Sequence, residues 1–93
     1  MKSPPPELDG ARVLWWSWSG DTPFGELFGA DDDDRWIHGF AVCRLATGSI
    51  YRFSCNKNWE VVQDSQYNTE DEAKASIPTN YDSTRVVWLR YGE

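Results

Sequence analysis

The stretch that decides the fold is residues 36–64, WIHGFAVCRLATGSIYRFSCNKNWEVVQD. Its apolar and aromatic runs are separated by two short polar segments, ATGS and NKN. Glycine and asparagine tolerate the left-handed backbone that tight turns need. The pattern therefore predicts three consecutive antiparallel strands in the middle of a small sheet. We place these strands at 36–45, 50–55 and 59–64.

The register of these strands decides which side chains share a face of the sheet. With Leu45 opposite Ile50 and Cys55 opposite Trp59, one face is bulky and aromatic, and the other carries small residues along the first strand. Cys43 and Cys55 then point to opposite faces and cannot form a disulfide. A one-residue slip would place both cysteines on one face, diagonally offset. The sequence leaves open which face is the core.

The flanking segments complete a single domain. Residues 1–11, MKSPPPELDGA, contain three consecutive prolines, and we expect a flexible, extended arm. Residues 12–93 are expected to form one α+β domain. Within it, RVLWWSWS at 12–19 and RVVWLRY at 85–91 have strand composition, and the glycine-rich segment 20–34 is expected to be a loop.

One short helix is expected between the third and the last of these strands. Thr69, with Glu72 three residues later, fits a capping box, and Pro78 ends the helical pattern. A helix of two turns is marginal alone, so it must dock on the sheet. The expected fold is α+β: a small, mostly antiparallel sheet of four to five strands, with one short helix before the last strand.

The charge balance restricts the classes of partner. The 93 residues include 15 acidic and 9 basic side chains, with a formal net charge of -6. This balance disfavours nucleic acid and anionic membranes, and it favours a basic partner or simply solubility. No apolar run has the length of a membrane span, and the first ten residues do not look like a signal peptide. The simplest placement is the cytoplasm.

A run of four aspartates is the first candidate site: Asp31, Asp32, Asp33 and Asp34. The run lacks the alternating ligand spacing of a calcium loop, so we expect no metal site. Contact with a basic partner is the functional alternative, because such a run would steer the approach of opposite charge. A solvated acidic loop is the plainer interpretation.

The six tryptophans are the second candidate set, and we choose Trp16, Trp18 and Trp36 as partner anchors. Exposed tryptophan is a preferred anchor of protein interfaces. Tryptophan also stacks on sugar rings, so a carbohydrate-binding module is a rival. For most of the six, packing in the core is the better interpretation. One helix cannot cover two aromatic faces, so one or two tryptophans should stay partly exposed.

Catalysis finds little support in the sequence. His38 is the only histidine and could act as a general base near neutral pH. No serine or cysteine motif marks a nucleophile, and Cys43 and Cys55 lie inside predicted strands. A catalytic thiol needs a partly exposed, electropositive setting. We therefore expect neither an enzyme nor a cofactor.

The segment 50–81, IYRFSCNKNWEVVQDSQYNTEDEAKASIPTNY, resembles small bacterial proteins encoded beside toxin genes. The upstream TPFGELFG and WIHGF fit the same pattern. The whole chain is similar to immunity proteins of the polymorphic or type VI secretion toxin kind. This resemblance implies a cytoplasmic protein that binds one cognate toxin and blocks its active site. No site residues carry over, because such proteins are defined by their toxins. An accessory subunit of a larger complex is the remaining alternative.

Overall fold

The computed structural model describes residues 2–30 and 34–92, and an antiparallel sheet is its main element. One short α-helix and one 3-10 turn, Ser83–Arg85, follow most of the strands. The strands are β1 Glu7–Leu8, β2 Ala11–Trp18, β3 Gly25–Glu26, β4 Trp36–Ile37, β5 Gly39–Arg44, β6 Ile50–Cys55, β7 Val61–Tyr67 and β8 Leu89–Arg90, and the helix is α1 Glu70–Ala75.

The main sheet runs in the order β1-β2-β5-β6-β7, and β8 also pairs with β2. Strands β1 and β8 share one edge of β2, with β1 beside Ala11 and Arg12 and β8 beside Trp15 and Trp16. A separate pair, β3-β4, forms from the loop region. The expected antiparallel α+β architecture is confirmed, but the main sheet has six strands rather than four to five. The strands that the sequence did not predict, β1 and β3, are two residues long, and so short a segment has no distinct strand composition.

The sheet begins at Glu7, before the domain boundary that the sequence predicts at residue 12. Asp9 and Gly10 have φ values of 48° and 78°, which is the left-handed pair of a two-residue hairpin turn. This turn folds β1 back onto β2, and Leu8 is buried in the core. The Asp9-Gly10 pair is a sequence signal for a hairpin turn, but the preceding prolines favour an extended arm, and the prediction followed the prolines.

The predicted register of β5 and β6 is wrong by one residue. Arg44 lies opposite Ile50, because the connecting loop has three residues rather than four. Leu45 N–H donates to the Ser49 carbonyl at 3.0 Å, and Gly48 N–H donates to the Leu45 carbonyl at 2.8 Å. Gly48 takes a φ of 96°, which suits a three-residue hairpin loop. The slip moves the side chains of one strand to the other face relative to the prediction.

The corrected register places both cysteines on the same face. Cys43 lies opposite Tyr51, and Cys55 lies opposite Gly39 near the other end of the strand pair. Both are buried free thiols. The expectation of opposite faces is therefore wrong, whereas the expected reduced state holds because the two side chains sit at different positions along the strands.

The third predicted strand starts late, because residues 56–60 form a tight turn. Asn56 Oδ1 accepts backbone hydrogen bonds from Asn58 at 2.9 Å and Glu60 at 3.0 Å. Trp59 has a φ of 61° inside this turn, and its ring folds back over Gly39. A side chain at Gly39 would meet that ring at 2.6 Å, so only glycine fits there. Strand β7 begins after the turn, at Val61.

The sheet is buried on both faces, which answers the question the sequence left open. We call one face the tryptophan face and the other the helix face. The tryptophan face carries Val13, Trp16, Ala41, Cys43, Phe53, Cys55 and Trp59. The helix face carries Phe40, Val42, Ile50, Arg52 and Ser54, and α1 packs there through Ala73.

The helix matches its prediction, and the last strand does not. Thr69 caps α1, with its hydroxyl oxygen accepting from Glu72 N–H at 3.1 Å. The predicted strand 85–91 is reduced to Leu89–Arg90. Before it, Val87 N–H donates to the Ser17 hydroxyl at 3.1 Å and so forms no ladder bond. Within the described ranges, neither α1 nor any other helix has the length and apolar character needed to cross a membrane.

Candidate partner-binding surface

Trp36 is the one proposed anchor that lies largely open at the surface. Its exposed fraction is 45%. With Thr22, Pro23 and His38, it lines a shallow depression of about 430 Å³. We call these four residues the Trp36 surface. A large exposed aromatic ring beside a mainly apolar depression is a favourable place for a partner side chain.

The small β3-β4 pair sets the orientation of Trp36. Ile37 is fully buried, and because side chains alternate along a strand, Trp36 points outward. Gly25 pairs with Ile37 and lies so close to Tyr81 that a Cβ atom there would meet the Tyr81 ring at 2.4 Å. Arg35 packs beside the Trp36 ring, 6.0 Å from its centroid. The outward position of Trp36 is therefore built into the local packing.

His38 is held in place by its neighbours. Its ring stacks on Trp18 at 5.5 Å, and Nδ1 lies 2.9 Å from the Ser19 hydroxyl oxygen. The same hydroxyl lies 3.2 Å from the Gly20 carbonyl oxygen. These contacts orient the imidazole ring beside Trp36.

Trp16 and Trp18 lie on the tryptophan-face side of the molecule. Trp16 is only 9% exposed and packs edge-to-face against Trp59 at 6.4 Å. The predicted role of Trp16 as a partner anchor is therefore corrected, because the strand pairing turns its ring into the core. Trp18 is half-buried, 5.5 Å from Trp59, and Lys2 Nζ lies 5.5 Å from its ring centroid. The N-terminal segment thus covers part of Trp18.

The acidic run can be followed only at its last member. Asp31, Asp32 and Asp33 lie outside the described residues. Asp34 Oδ1 accepts a hydrogen bond from Asn56 Nδ2 at 3.1 Å, which ties the end of the run to the β6-β7 turn. Asp34 also precedes Trp36 by two residues, so the acidic run leads directly into the Trp36 surface. Among residues 2–30 and 34–92, no group of three or more His, Cys, Asp or Glu side chains forms a metal site.

The buried thiols are poor nucleophiles. Burial raises the pKa of Cys43 to about 12. Burial also raises the pKa of Cys55, with smaller contributions from Cys43 and Asp9. A thiol held in its protonated form inside a core is unreactive at neutral pH. Neither cysteine therefore offers a covalent chemistry in the folded protein.

Sequence reasoning missed two surface features. Phe28 is 77% exposed, whereas Phe24 in the same loop is buried. Arg44 and Arg90 were assigned no role, yet with Arg12 they surround Trp15 on the helix-face side. Spacing along the chain does not indicate this cluster, because its members come from three strands.

No family model, curated protein or solved structure matches this chain. The functional argument therefore depends on the surfaces described above.

Proposed function

We propose that the protein is a non-enzymatic binding protein that inhibits a partner protein, in the manner of a bacterial immunity protein acting on its cognate toxin. The observation that carries the proposal is the exposed Trp36, which lies two residues after the acidic run and lines an open depression. The sequence resemblance of residues 50–81 supports a toxin as the partner. The proposed site of action is the cytoplasm.

The two parts of this surface have different tasks. The net charge of -6 and the aspartate run attract a basic partner during diffusional encounter. Trp36 then supplies apolar contact area at short range, and His38 and Pro23 line the same depression. Toxin domains that act on nucleic acid or nucleotides often have basic active sites. An acidic, aromatic surface suits such a site.

The direct test is co-expression with the product of the neighbouring gene. We expect a stable complex on gel filtration and relief of that product's toxicity. Trp36→Ala should weaken the complex by about 2 kcal/mol or more, the range of interface hot spots, while leaving the melting temperature unchanged. Val87→Ala, at another exposed apolar residue, is the matched control and should leave affinity unchanged.

Three outcomes would contradict the proposal. Absence of any complex with the neighbouring product, with toxicity unrelieved, would remove the toxin-inhibitor function. Saturable glycan binding that Trp36→Ala abolishes would instead favour a carbohydrate-binding module. Full affinity in Trp36→Ala would move the interface away from the Trp36 surface.

A further inference from the structure

A cluster of basic side chains from three strands and the helix surrounds one tryptophan on the helix-face side of the sheet. Arg12 lies directly opposite Arg44, and Arg90 lies directly opposite Trp15. Cross-strand partners share a face, so these arginines emerge together. With Trp15, Glu70 and Tyr91 among the other lining residues, they enclose a pocket of about 250 Å³. We call Arg12, Arg44, Arg90 and Lys74 the arginine cluster.

Trp15 holds the cluster in place. Lys74 Nζ lies 4.0 Å from the Trp15 ring centroid, and Arg90 Cζ lies 5.5 Å from it. Cations in these positions are attracted to the ring electrons. The indole Nε1 donates to Glu70 Oε1 at 2.9 Å, which fixes the ring plane against α1. The pocket is therefore organised without a bound ligand.

The acidic groups nearby pair with Arg44 and Lys74 of the cluster. Glu70 accepts from Trp15 with one carboxylate oxygen and from Arg44, at 3.0 Å, with the other. Asp71 lies 3.6 Å from Lys74. Arg12 has no hydrogen-bond or ion-pair partner within residues 2–30 and 34–92, although Glu7 is opposite it in β1. Two arginines directly opposite each other disfavour folding. The stability of the sheet therefore does not explain the pair.

We propose that the arginine cluster binds the dianionic phosphate group of a small ligand, with Arg12 and Arg44 donating to its oxygens. The planar guanidinium fork matches phosphate oxygens and forms strong charge-assisted hydrogen bonds. The pocket is slightly below the range of about 300 to 1,000 Å³ of small-molecule sites. An adjoining depression of about 340 Å³, also lined by Arg12 and Arg44, offers room for the rest of the ligand.

The charge of the whole protein favours a small ligand over a polyanion. Nucleic acid binding needs basic side chains along an extended track, and the net charge here is -6. A single phosphate monoester needs only local positive charge. Glu70 lies on the wall of the same pocket, where its carboxylate could accept a hydrogen bond from a ligand hydroxyl.

This site is separate from the Trp36 surface. Trp36 precedes the start of β5, and Arg44 is the last residue of that strand. At about 3.4 Å per residue, the six residues of β5 place the two sites roughly 17 Å apart or more. Phosphate binding and partner binding can therefore be tested separately.

The experiment is calorimetric titration with inorganic phosphate and with pyrophosphate, at constant ionic strength set by sodium chloride. Wild type should give saturable binding. Arg12→Ala, at an exposed residue outside the core, should weaken phosphate binding at least tenfold. The affinity of Arg12→Lys should lie between those of wild type and Arg12→Ala, because lysine keeps the positive charge but lacks the planar guanidinium group. Arg35→Ala, at a partly buried arginine beside Trp36 and outside the cluster, is the control and should bind as wild type does.

Several results would overturn the proposal. Heats no larger than those of added chloride, or equal affinity in wild type and Arg12→Ala, would remove the phosphate site. Tighter binding of a single-stranded RNA oligonucleotide than of pyrophosphate would replace the small ligand with a polyanion. If Arg12→Ala keeps the wild-type melting temperature in phosphate-free buffer, any loss of binding is not due to unfolding. A much lower melting temperature would instead assign Arg12 a structural role.

Discussion

Arg52 is the residue whose contacts bear most directly on the packing of the helix. It is only 2% exposed, on the helix face. Its Nη1 donates to the Ser76 carbonyl at 2.7 Å, to the Ser76 hydroxyl at 2.7 Å and to the Tyr67 hydroxyl at 2.9 Å. Ser76 is the C-cap of α1. One buried guanidinium thus joins the end of the helix to strands β6 and β7.

Removal of this side chain should be costly. Arg52→Ala leaves a cavity and takes the partner away from the Ser76 carbonyl, so the free energy of unfolding should fall by about 3 kcal/mol. Arg52→Met fills the space and removes a buried charge, so its loss should be smaller. Urea denaturation measures both. Arg35→Ala, at a partly buried arginine whose ion pair with Glu26 lies at the surface, should change stability by about 1 kcal/mol or less. An equal effect at both arginines would show that Arg52 does not fasten the helix to the sheet.

The strand register decides which tryptophan side chains are buried and which are exposed. Trp16 and Trp36 have the same side-chain chemistry. Trp16 is turned inward by its pairing opposite Ala41, whereas Trp36 alternates with the buried Ile37 and points outward. The two tryptophans therefore differ in exposure because of the strand pairing, which amino-acid composition does not reveal.

At the scale of elements, two turns determine the sheet. The three-residue loop after Leu45 sets the β5-β6 register, and the Asn56 turn sets the start of β7. Asn56 is buried and uses its whole amide: the oxygen accepts from two backbone N–H groups, and the nitrogen donates to Asp34 and Glu60. This turn also places Trp59 over Gly39, so it closes one end of the tryptophan face.

Asn56→Ala should therefore destabilise more than a surface change. Two backbone donors lose their acceptor in a buried turn, and the expected loss is about 2 kcal/mol of unfolding free energy. Asn58→Ala, at an exposed asparagine of the same turn, is the matched control and should lose about 0.5 kcal/mol or less. Chemical denaturation followed by tryptophan fluorescence checks the pair. Similar losses in both variants would show that the Asn56 side chain does not organise the turn.

At the scale of the whole molecule, charge is unevenly distributed. The chain is acidic overall, yet four basic side chains gather around Trp15 while the aspartate run leads into Trp36. Trp36 and the arginine cluster lie near opposite ends of β5. We expect a basic partner of the proposed kind to be attracted to the Trp36 end and repelled from the arginine cluster.

Steering by the acidic run predicts a specific kinetic effect. Changing Asp31 through Asp34 to asparagine should slow association with the partner about tenfold at low salt and flatten the salt dependence, with little change in dissociation. Stopped-flow association across a salt series measures this. The control makes the same charge change at four exposed carboxylates elsewhere, Glu7, Asp9, Asp64 and Asp71. An unchanged association rate at low salt would show that the run is not the steering element.

The sequence by itself determined the approximate positions of the three central strands and the capping box at Thr69, because these depend on neighbours within a few residues. Tertiary structure decided the register, the face of each side chain, the shortening of β8 and the arginine cluster. A one-residue change in loop length moves every side chain of a strand to the other face, and composition does not reveal that length. Trp36 belongs to both levels: the sequence marked it as a candidate anchor, and the packing of Ile37 and Gly25 turned it outward.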